Sequence, residues 1–157
     1  MRIGGFALAV IAMAATGALA GNAPKGCYEK SWNKWELKKL PLQKVTALRL
    51  EANLGAIPEN KPQAYGRLMA RFRETGEAWL ETAYECSNTG AGFACASYCD
   101  GSVFVLSSVG GSLQVMPPNG VLLAGPDCKG SSATLKMNAD QQPFLLARRG
   151  GKACPAR

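Results

Sequence analysis

Three of the six cysteines in this 157-residue chain lie close together in its middle. Cys86, Cys95 and Cys99 alternate there with apolar and aromatic residues, which is typical of half-buried strands. Asp100-Gly101, between two such runs, is a strong hairpin signal, and a two-residue turn there would set Cys95 opposite Leu106. A chain patterned in this way is predicted to fold as antiparallel sheet that disulfides cross-link.

The N-terminal segment carries the three parts of a secretory signal. Met1-Arg2 is a short basic start, residues 3–15 are uncharged and apolar, and Ala18-Leu19-Ala20 fits the small-residue site that signal peptidase cuts. We therefore expect residues 1–20 to be a signal peptide and residues 21–157 to be a single disulfide-bonded β domain, periplasmic or secreted. The apolar run is shorter than the ~20 residues of a spanning helix, so we expect no transmembrane segment in the mature chain.

An even number of cysteines in an exported domain predicts a disulfide framework. Six cysteines allow fifteen pairings, so the connectivity is a choice among alternatives. In the set that we prefer, one bridge ties the two ends of the domain together and another crosses a hairpin loop. The preferred pairs are Cys27 with Cys154, Cys86 with Cys95, and Cys99 with Cys128.

Short runs of alternating polarity, separated by turns that contain glycine or proline, continue from residue 45 to residue 148. We count nine predicted strands. One short helix is predicted over residues 31–40, with Ser31 as its N-cap and Pro41 ending it, after a polar lead-in over residues 21–30. This spacing predicts an all-β fold, either an antiparallel sandwich or a small barrel, stapled by disulfides.

Residues 66–73 and 78–86 are two of the predicted strands, and they are expected to form a hairpin. Pairing of opposite charges across the hairpin predicts which residues lie opposite each other. A three-residue loop would set Arg71 opposite Glu81 and Arg67 opposite Glu85, with apolar residues paired on the other face. Each cross-strand pair is worth about 0.2–1 kcal/mol, and a slip of one residue would reverse the faces. Ion pairing also accounts for these two carboxylates without a catalytic role.

The residue types needed for common catalytic chemistry are scarce. Histidine is absent, which removes the commonest general base and metal ligand. No Cys-x-x-Cys, GxSxG, P-loop or GxGxxG motif occurs, and disulfides explain the cysteines better than zinc does. We therefore expect no catalytic residues, metal or cofactor. A carboxylate-dependent hydrolase is the enzymatic alternative, and it requires two of the 11 acidic residues to converge in a cleft.

A formal net charge of +7 favours acidic partners or anionic surfaces. Lys30, Lys34 and Lys38 recur every four residues and share one face of the predicted helix. With Trp32 and Trp35 they form the binding surface that we consider. The alternatives are a solvated helix face and a tryptophan lid over a sheet edge. We expect an unknown protein or an anionic envelope component as the partner, and no nucleic acid, because aromatic residues are few on the basic strand faces.

Several short motifs are spread over most of the predicted domain. Gly26-Cys27-Tyr28, the run from Gln43 to Leu50, the segment from Cys95 to Gly101 and a cysteine near the end of the chain make up the pattern. It resembles small, uncharacterised secreted proteins of alphaproteobacteria. That resemblance implies an exported β domain and no known activity.

Tyr84-Glu85-Cys86 is a Tyr-x-Cys start to a meander, and Gly130-Ser131-Ser132 is a short Ser-Gly loop. These pieces are similar to the β-barrel inhibitors of lysozyme in bacterial envelopes. This second resemblance implies an envelope inhibitor of a host hydrolase. The sequence as a whole predicts a non-enzymatic binding domain of unknown ligand, with the inhibitor and the hydrolase as alternatives.

Overall fold

The computed structural model describes residues 23–53, 64–138, 143–150 and 154. These residues form ten strands, one α-helix and one 3-10 turn. The strands are β1 Gly26–Ser31, β2 Val45–Ala52, β3 Ala64–Phe72, β4 Leu80–Asn88, β5 Phe93–Ser97, β6 Val103–Val109, β7 Ser112–Met116, β8 Val121–Ala124, β9 Ser132–Leu135 and β10 Phe144–Arg148; the helix α1 is Lys34–Lys39 and the 3-10 turn is Pro126–Cys128. The predicted signal peptide lies outside the described residues.

Eight of the strands close into an antiparallel barrel. Strands β1 to β7 follow one another around it, and β10 fills the gap between β7 and β1. Strands β8 and β9 form an extra hairpin, which joins the barrel where Ala124 lies opposite Glu81 on β4. The predicted all-β fold class is confirmed, and of the two predicted architectures the barrel is the one that forms.

Apolar side chains fill the inside of the barrel. One cluster of buried residues includes both the inward-facing strand residues and three residues of the extra hairpin, Val121, Leu123 and Leu135. The largest fully buried side chains are Tyr84, Phe72, Phe104, Leu48, Leu50, Leu68, Met69, Leu106, Leu113, Leu123, Leu135 and Leu146. Burying one such side chain contributes about 1.5–3 kcal/mol, so this cluster is the main source of stability.

The three disulfides pair the cysteines as predicted. Cys27 on β1 is joined to Cys154, which follows β10, and Cys99 in the β5–β6 turn is joined to Cys128 in the 3-10 turn. The third bridge joins two cysteines that lie directly opposite each other on β4 and β5. Disulfides form and persist in oxidising compartments, so three of them indicate such a location.

The prediction of a polar lead-in over residues 21–30 is wrong for its second half, where β1 pairs with both β2 and β10. The strand was not predicted because β1 contains polar residues, which interrupt the apolar alternation expected of a strand. Glu29 lies 3.1 Å from Arg49 of β2, and both side chains are about nine-tenths buried. The helix prediction is also too long: Ser31 belongs to β1, and the N-cap of α1 is Asn33.

The predicted register between β3 and β4 is wrong by two residues. Ala70, not Phe72, lies opposite Leu80. Two successive turns lengthen the connection: the Thr75 amide donates to the Phe72 carbonyl (3.2 Å), and the Ala78 amide donates to the Thr75 carbonyl (3.3 Å). A slip of two residues keeps every side chain on its face, so the predicted faces hold while the partners change.

The ion pairs predicted for this hairpin, Arg71–Glu81 and Arg67–Glu85, are therefore wrong. Arg67 instead reaches Glu51 on β2, at 2.7 Å, because β2 lies along the other edge of β3.

The predicted two-residue turn at Asp100-Gly101 is wrong as well. Leu106 lies opposite Phe93 rather than opposite Cys95. Five residues, 98–102, connect β5 to β6, and this places Cys99 in the turn. The longer turn is stabilised by the side chain of Asp100.

The Asp100 carboxylate accepts hydrogen bonds from the Ser97 hydroxyl (2.7 Å) and the Ser102 amide (2.9 Å). Partial desolvation opposes its ionisation, but the hydrogen bonds from Ser102 and Ser97 outweigh that effect and lower the pKa of Asp100. A lowered carboxyl pKa contributes stability that is present above the unfolded pKa of about 3.9 and is lost as the pH falls through the folded value.

We therefore expect Asp100→Asn to lower the free energy of unfolding by about 0.5–1 kcal/mol at pH 7, a small effect because the carboxylate is largely exposed. The difference between wild type and variant should shrink as the pH falls to about 2. Urea unfolding at a series of pH values measures it. An equal difference at both ends of the series would show that the carboxylate charge does not stabilise this turn.

The outer wall of the barrel differs between its two halves. Strands β1 to β4 carry these charged, outward-facing residues: Glu29, Arg49, Glu51, Arg67, Arg71, Glu81 and Glu85. On β5, β6, β7 and β10 the outward-facing residues are uncharged: Ala94, Ala96, Val103, Val105, Ser107, Val109, Ser112, Gln114, Met116, Leu145 and Ala147. We therefore do not expect an anion-binding site on the uncharged half of the wall.

Candidate functional site

Positive charge is concentrated at the end of the barrel where β1 stops and β2 starts. Residues 30–44 contain five lysines and one glutamate, a net charge of +4, against +7 for the whole chain. The lysines are Lys30, Lys34, Lys38, Lys39 and Lys44. This segment includes α1, so the helix and its connections carry more than half of the excess charge.

The start of α1 is stabilised by a capping box. The Asn33 side chain accepts hydrogen bonds from the amides of Trp35 and Glu36, both at 2.9 Å, and the Glu36 carboxylate accepts one from the Asn33 amide at 2.8 Å. The pKa of Glu36 is lowered, mainly by the hydrogen bond from the Asn33 amide, with a contribution from Lys30. These local bonds satisfy amides that a short helix would otherwise leave unpaired.

The end of α1 is held by Arg73, which follows β3. The Arg73 guanidinium donates to the carbonyls of Leu37 (2.7 Å), Leu40 (3.0 Å) and Gln43 (2.6 Å). A cation at this position also complements the negative end of the helix dipole. A six-residue helix is not stable alone in water, and α1 contains no buried residue. Polar contacts at its two ends, rather than core packing, therefore keep it in place.

Two large apolar side chains in and just after α1 stay largely in solvent. Trp35 is 65% exposed, and Leu42, just after the helix, is 55% exposed. The Lys39 ammonium lies 3.4 Å from the centre of the Trp35 ring, a cation–π contact. We name the lysine–tryptophan face by its five residues: Lys34, Trp35, Lys38, Lys39 and Leu42.

The predicted binding surface is only partly reproduced by this face. Lys34, Trp35 and Lys38 belong to it. Lys30 does not, because it lies on β1, where it pairs with Glu36 at 3.4 Å. Trp32 is partly buried against the core, with its ring edge-on to Phe144 and 6.3 Å between the centroids. Of the two tryptophans, only Trp32 therefore packs against the sheet, as the alternative of a tryptophan lid predicted; Trp35 does not.

Lys39 and Leu42 are residues of the face that the sequence analysis missed. The doubled lysine at 38–39 and the leucine directly after Pro41 are the signals that could have identified them.

A cavity of about 370 Å³ opens at the same end of the barrel. Its lining combines apolar residues with two lysines and one glutamate: Lys44, Val45, Phe72, Glu74, Thr134, Lys136, Met137 and Asn138. The Asn138 side chain donates to the carbonyl of Leu42 at 3.0 Å, which connects the cavity lining to the lysine–tryptophan face. Lys44 and Lys136 extend the positive potential beyond the helix.

The arginines of the charged wall have structural roles. The guanidinium groups of Arg49 and Arg71 lie 4.7 and 4.5 Å from the centre of the Trp79 ring. Arg49 is ion-paired with Glu29, and Arg71 with Glu77 at 2.8 Å. Among the described residues, then, the lysines of the lysine–tryptophan face rather than these arginines are the cations available to a ligand.

A second cavity, of about 250 Å³, has two acidic residues in its lining. Its lining residues are Arg67, Glu81, Thr82, Ala83, Tyr98, Cys99, Gly125, Asp127 and Cys128. The Tyr98 hydroxyl donates to Glu85 at 2.8 Å, and this hydrogen bond raises the pKa of Tyr98. Glu81 and Asp127 are the two carboxylates that the hydrolase alternative would use in this cavity.

The loop that resembles the inhibitory loop of lysozyme inhibitors connects β8 to β9. Lys129, Gly130, Ser131 and Ser132 are all exposed, and a hydrogen bond from the Gly125 amide to the Ser131 carbonyl (3.0 Å) closes the loop.

Within the described residues, no helix has both the length and the apolar character needed to cross a bilayer. No family model, curated protein or solved structure matches this chain.

Proposed function

We propose that this protein is an exported, non-enzymatic binding domain whose lysine–tryptophan face holds an anionic component of the cell envelope. One observation carries the proposal: a helix that buries no residue is nevertheless held at both ends by specific polar contacts. Such a helix adds little to the stability of the core. Its defined position is best explained by the side chains that it presents to solvent.

The charge of the face supports an anionic partner. Among the described residues, no carboxylate forms an ion pair with Lys34, Lys38 or Lys39. Three neighbouring ammonium groups repel one another, and an anion that binds between them relieves that repulsion.

Export is supported by two features. The disulfides indicate an oxidising compartment, and residues 1–20 have the pattern of a signal peptide. An envelope component in the periplasm or outside the cell is the kind of anion that such a protein meets.

The test is a titration of fluorescently labelled poly-L-glutamate, as a generic polyanion, at several salt concentrations. We expect the triple variant Lys34→Gln, Lys38→Gln, Lys39→Gln to bind at least tenfold more weakly than wild type at low salt. The matched control, with the same change in net charge, is Lys25→Gln, Lys129→Gln, Arg148→Gln, at exposed positions away from the face. Equal losses in the two triple variants would show that net charge alone binds the polyanion and would refute the proposed site.

The alternative is a carboxylate-dependent hydrolase, favoured by the cavity that Glu81 and Asp127 share. Incubation with peptidoglycan, followed by measurement of released soluble fragments, tests it. Release by wild type that Glu81→Gln and Asp127→Asn each abolish would favour the enzyme over the binding domain.

A further inference from the structure

We infer that the anionic component is a phospholipid bilayer with acidic headgroups, on whose surface the lysine–tryptophan face docks. This inference rests on the proposed function of that face. It goes further by naming a lipid surface, rather than a soluble polyanion or an acidic protein, as the partner.

The apolar residues of the face are the first reason. A site for a purely ionic ligand has no need of Trp35 and Leu42, which are 65% and 55% exposed. Tryptophan is enriched at membrane–water interfaces, where its ring lies at the level of the headgroups. Lysine places its apolar stem along such a surface and its ammonium group in water. The combination is typical of segments that lie on a membrane.

The choice of cation is the second reason. The face contains lysines and no arginine, whereas the arginines of the barrel wall are engaged with Glu29, Glu51 and Glu77. Arginine is the residue that recognises single carboxylates and phosphates in a bidentate manner, while lysine acts as a hydrated point charge. A cluster of lysines therefore suits the diffuse negative potential of many headgroups better than one defined ion pair.

The size and shape of the face are the third reason. A six-residue helix is about 9 Å long, so its side chains fit within the area of a few headgroups. All five residues of the face are exposed, and the helix that carries four of them contains no buried residue. Lys44 and Lys136 in the adjoining cavity continue the positive potential past the helix. A small, fully exposed face of this kind fits a deformable plane better than a rod-like peptide.

The experiment uses the full chain with its disulfides intact and two vesicle compositions, phosphatidylcholine alone and an equal mixture of phosphatidylcholine and phosphatidylglycerol. We expect the protein to sediment with the mixed vesicles and not with the neutral ones. Each lysine near an acidic surface is worth about fivefold in affinity, so the triple lysine variant of the face should bind about a hundredfold more weakly. The control triple variant, at Lys25, Lys129 and Arg148, should lose far less.

Tryptophan fluorescence reports on the apolar part of the contact. Trp35 is the exposed tryptophan, whereas Trp32 and Trp79 are partly buried. Mixed vesicles should shift the emission to shorter wavelength in wild type, and Trp35→Phe should abolish the shift. Leu42→Ser should weaken binding by about threefold to fivefold, since a partly buried leucine is lost from the contact. All of these positions are exposed, so the variants should keep the melting temperature of wild type.

The outcomes separate the two proposals. Lysine-dependent binding of poly-L-glutamate without binding of mixed vesicles, or vesicle binding without a shift of Trp35 emission, would overturn the lipid surface and leave the proposed function standing. If neither vesicles nor poly-L-glutamate were bound in a manner that depends on the three lysines, both would fail.

Discussion

Replacing Gly66 with alanine is expected to lower the free energy of unfolding by about 3–5 kcal/mol, among the largest effects of any single substitution here. A Cβ atom at this position would lie 1.7 Å from the carbonyl oxygen of Glu51 and 3.0 Å from the hydroxyl of Tyr84. The nearer atom belongs to the backbone of β2 and cannot rotate away. Strands β2 and β3 would have to separate within the closed barrel.

The side chain of Tyr84 occupies the space that glycine leaves. Its hydroxyl donates to the same Glu51 carbonyl at 3.0 Å, and its ring is edge-on to Phe104, with 5.4 Å between the centroids. Burial raises the pKa of Tyr84, which keeps the hydroxyl protonated as a donor. Displacing β2 would break this hydrogen bond and disturb the ring contact together.

Urea unfolding of three variants measures the effect. Gly66→Ala is compared with Gly150→Ala, where nothing lies within 4 Å of the added methyl group, and a change of less than about 0.5 kcal/mol is expected. Tyr84→Phe removes only the hydroxyl and should cost about 1 kcal/mol. If Gly66→Ala were as mild as Gly150→Ala, the close approach of β3 to the β2 backbone would be contradicted.

Removing the bridge between Cys27 and Cys154 is expected to cost about 5 kcal/mol, the most of the three disulfides. The bridges span sequence separations of 127, 29 and 9 residues for Cys27–Cys154, Cys99–Cys128 and Cys86–Cys95. A longer loop restricts the unfolded chain more, so the corresponding losses are about 5, about 3.5 and about 2.5 kcal/mol.

The three double alanine variants, one for each bridge, are compared by denaturant unfolding under oxidising conditions. Cys86 and Cys95 are buried at 2% and 1% exposure, so their loss also removes packed sulfur atoms from the core. If that pair proved the most costly, core packing rather than chain entropy would determine the order. The same burial predicts that a mild reductant opens Cys99–Cys128 before Cys86–Cys95, which alkylation and mass spectrometry can follow.

The all-β class and the faces of the strands follow from local pattern, whereas the disulfide set was a preference among fifteen possible pairings. Alternation with a period of two assigns each side chain to one face, whatever its partner strand is. That is why the faces of β3 and β4 were correct although their register was wrong by two residues. The turns determine the registers of β3 with β4 and of β5 with β6, through hydrogen bonds of Thr75 and Asp100. The alternation of polar and apolar residues does not predict these hydrogen bonds.

The local sequence pattern does not predict that the sheet closes into a barrel. Closure depends on the pairing of β1 with β10, in which Tyr28 lies opposite Arg148. β1 escaped detection because Glu29, which is polar, is nearly buried by its ion pair with Arg49. A sequence window shows the charge of Glu29 but not the partner that neutralises it.

The candidate site, too, was predicted in part from the sequence and determined in part by the tertiary structure. The sequence by itself determined that lysines and tryptophans are concentrated over residues 30–44, because composition and spacing are local properties. Only the tertiary structure decided that Trp32 packs against Phe144 while Trp35 remains in solvent. The physical reason is that burial depends on which distant residues arrive beside a side chain: Phe144 comes from β10, and Arg73, which holds α1 in place, follows β3.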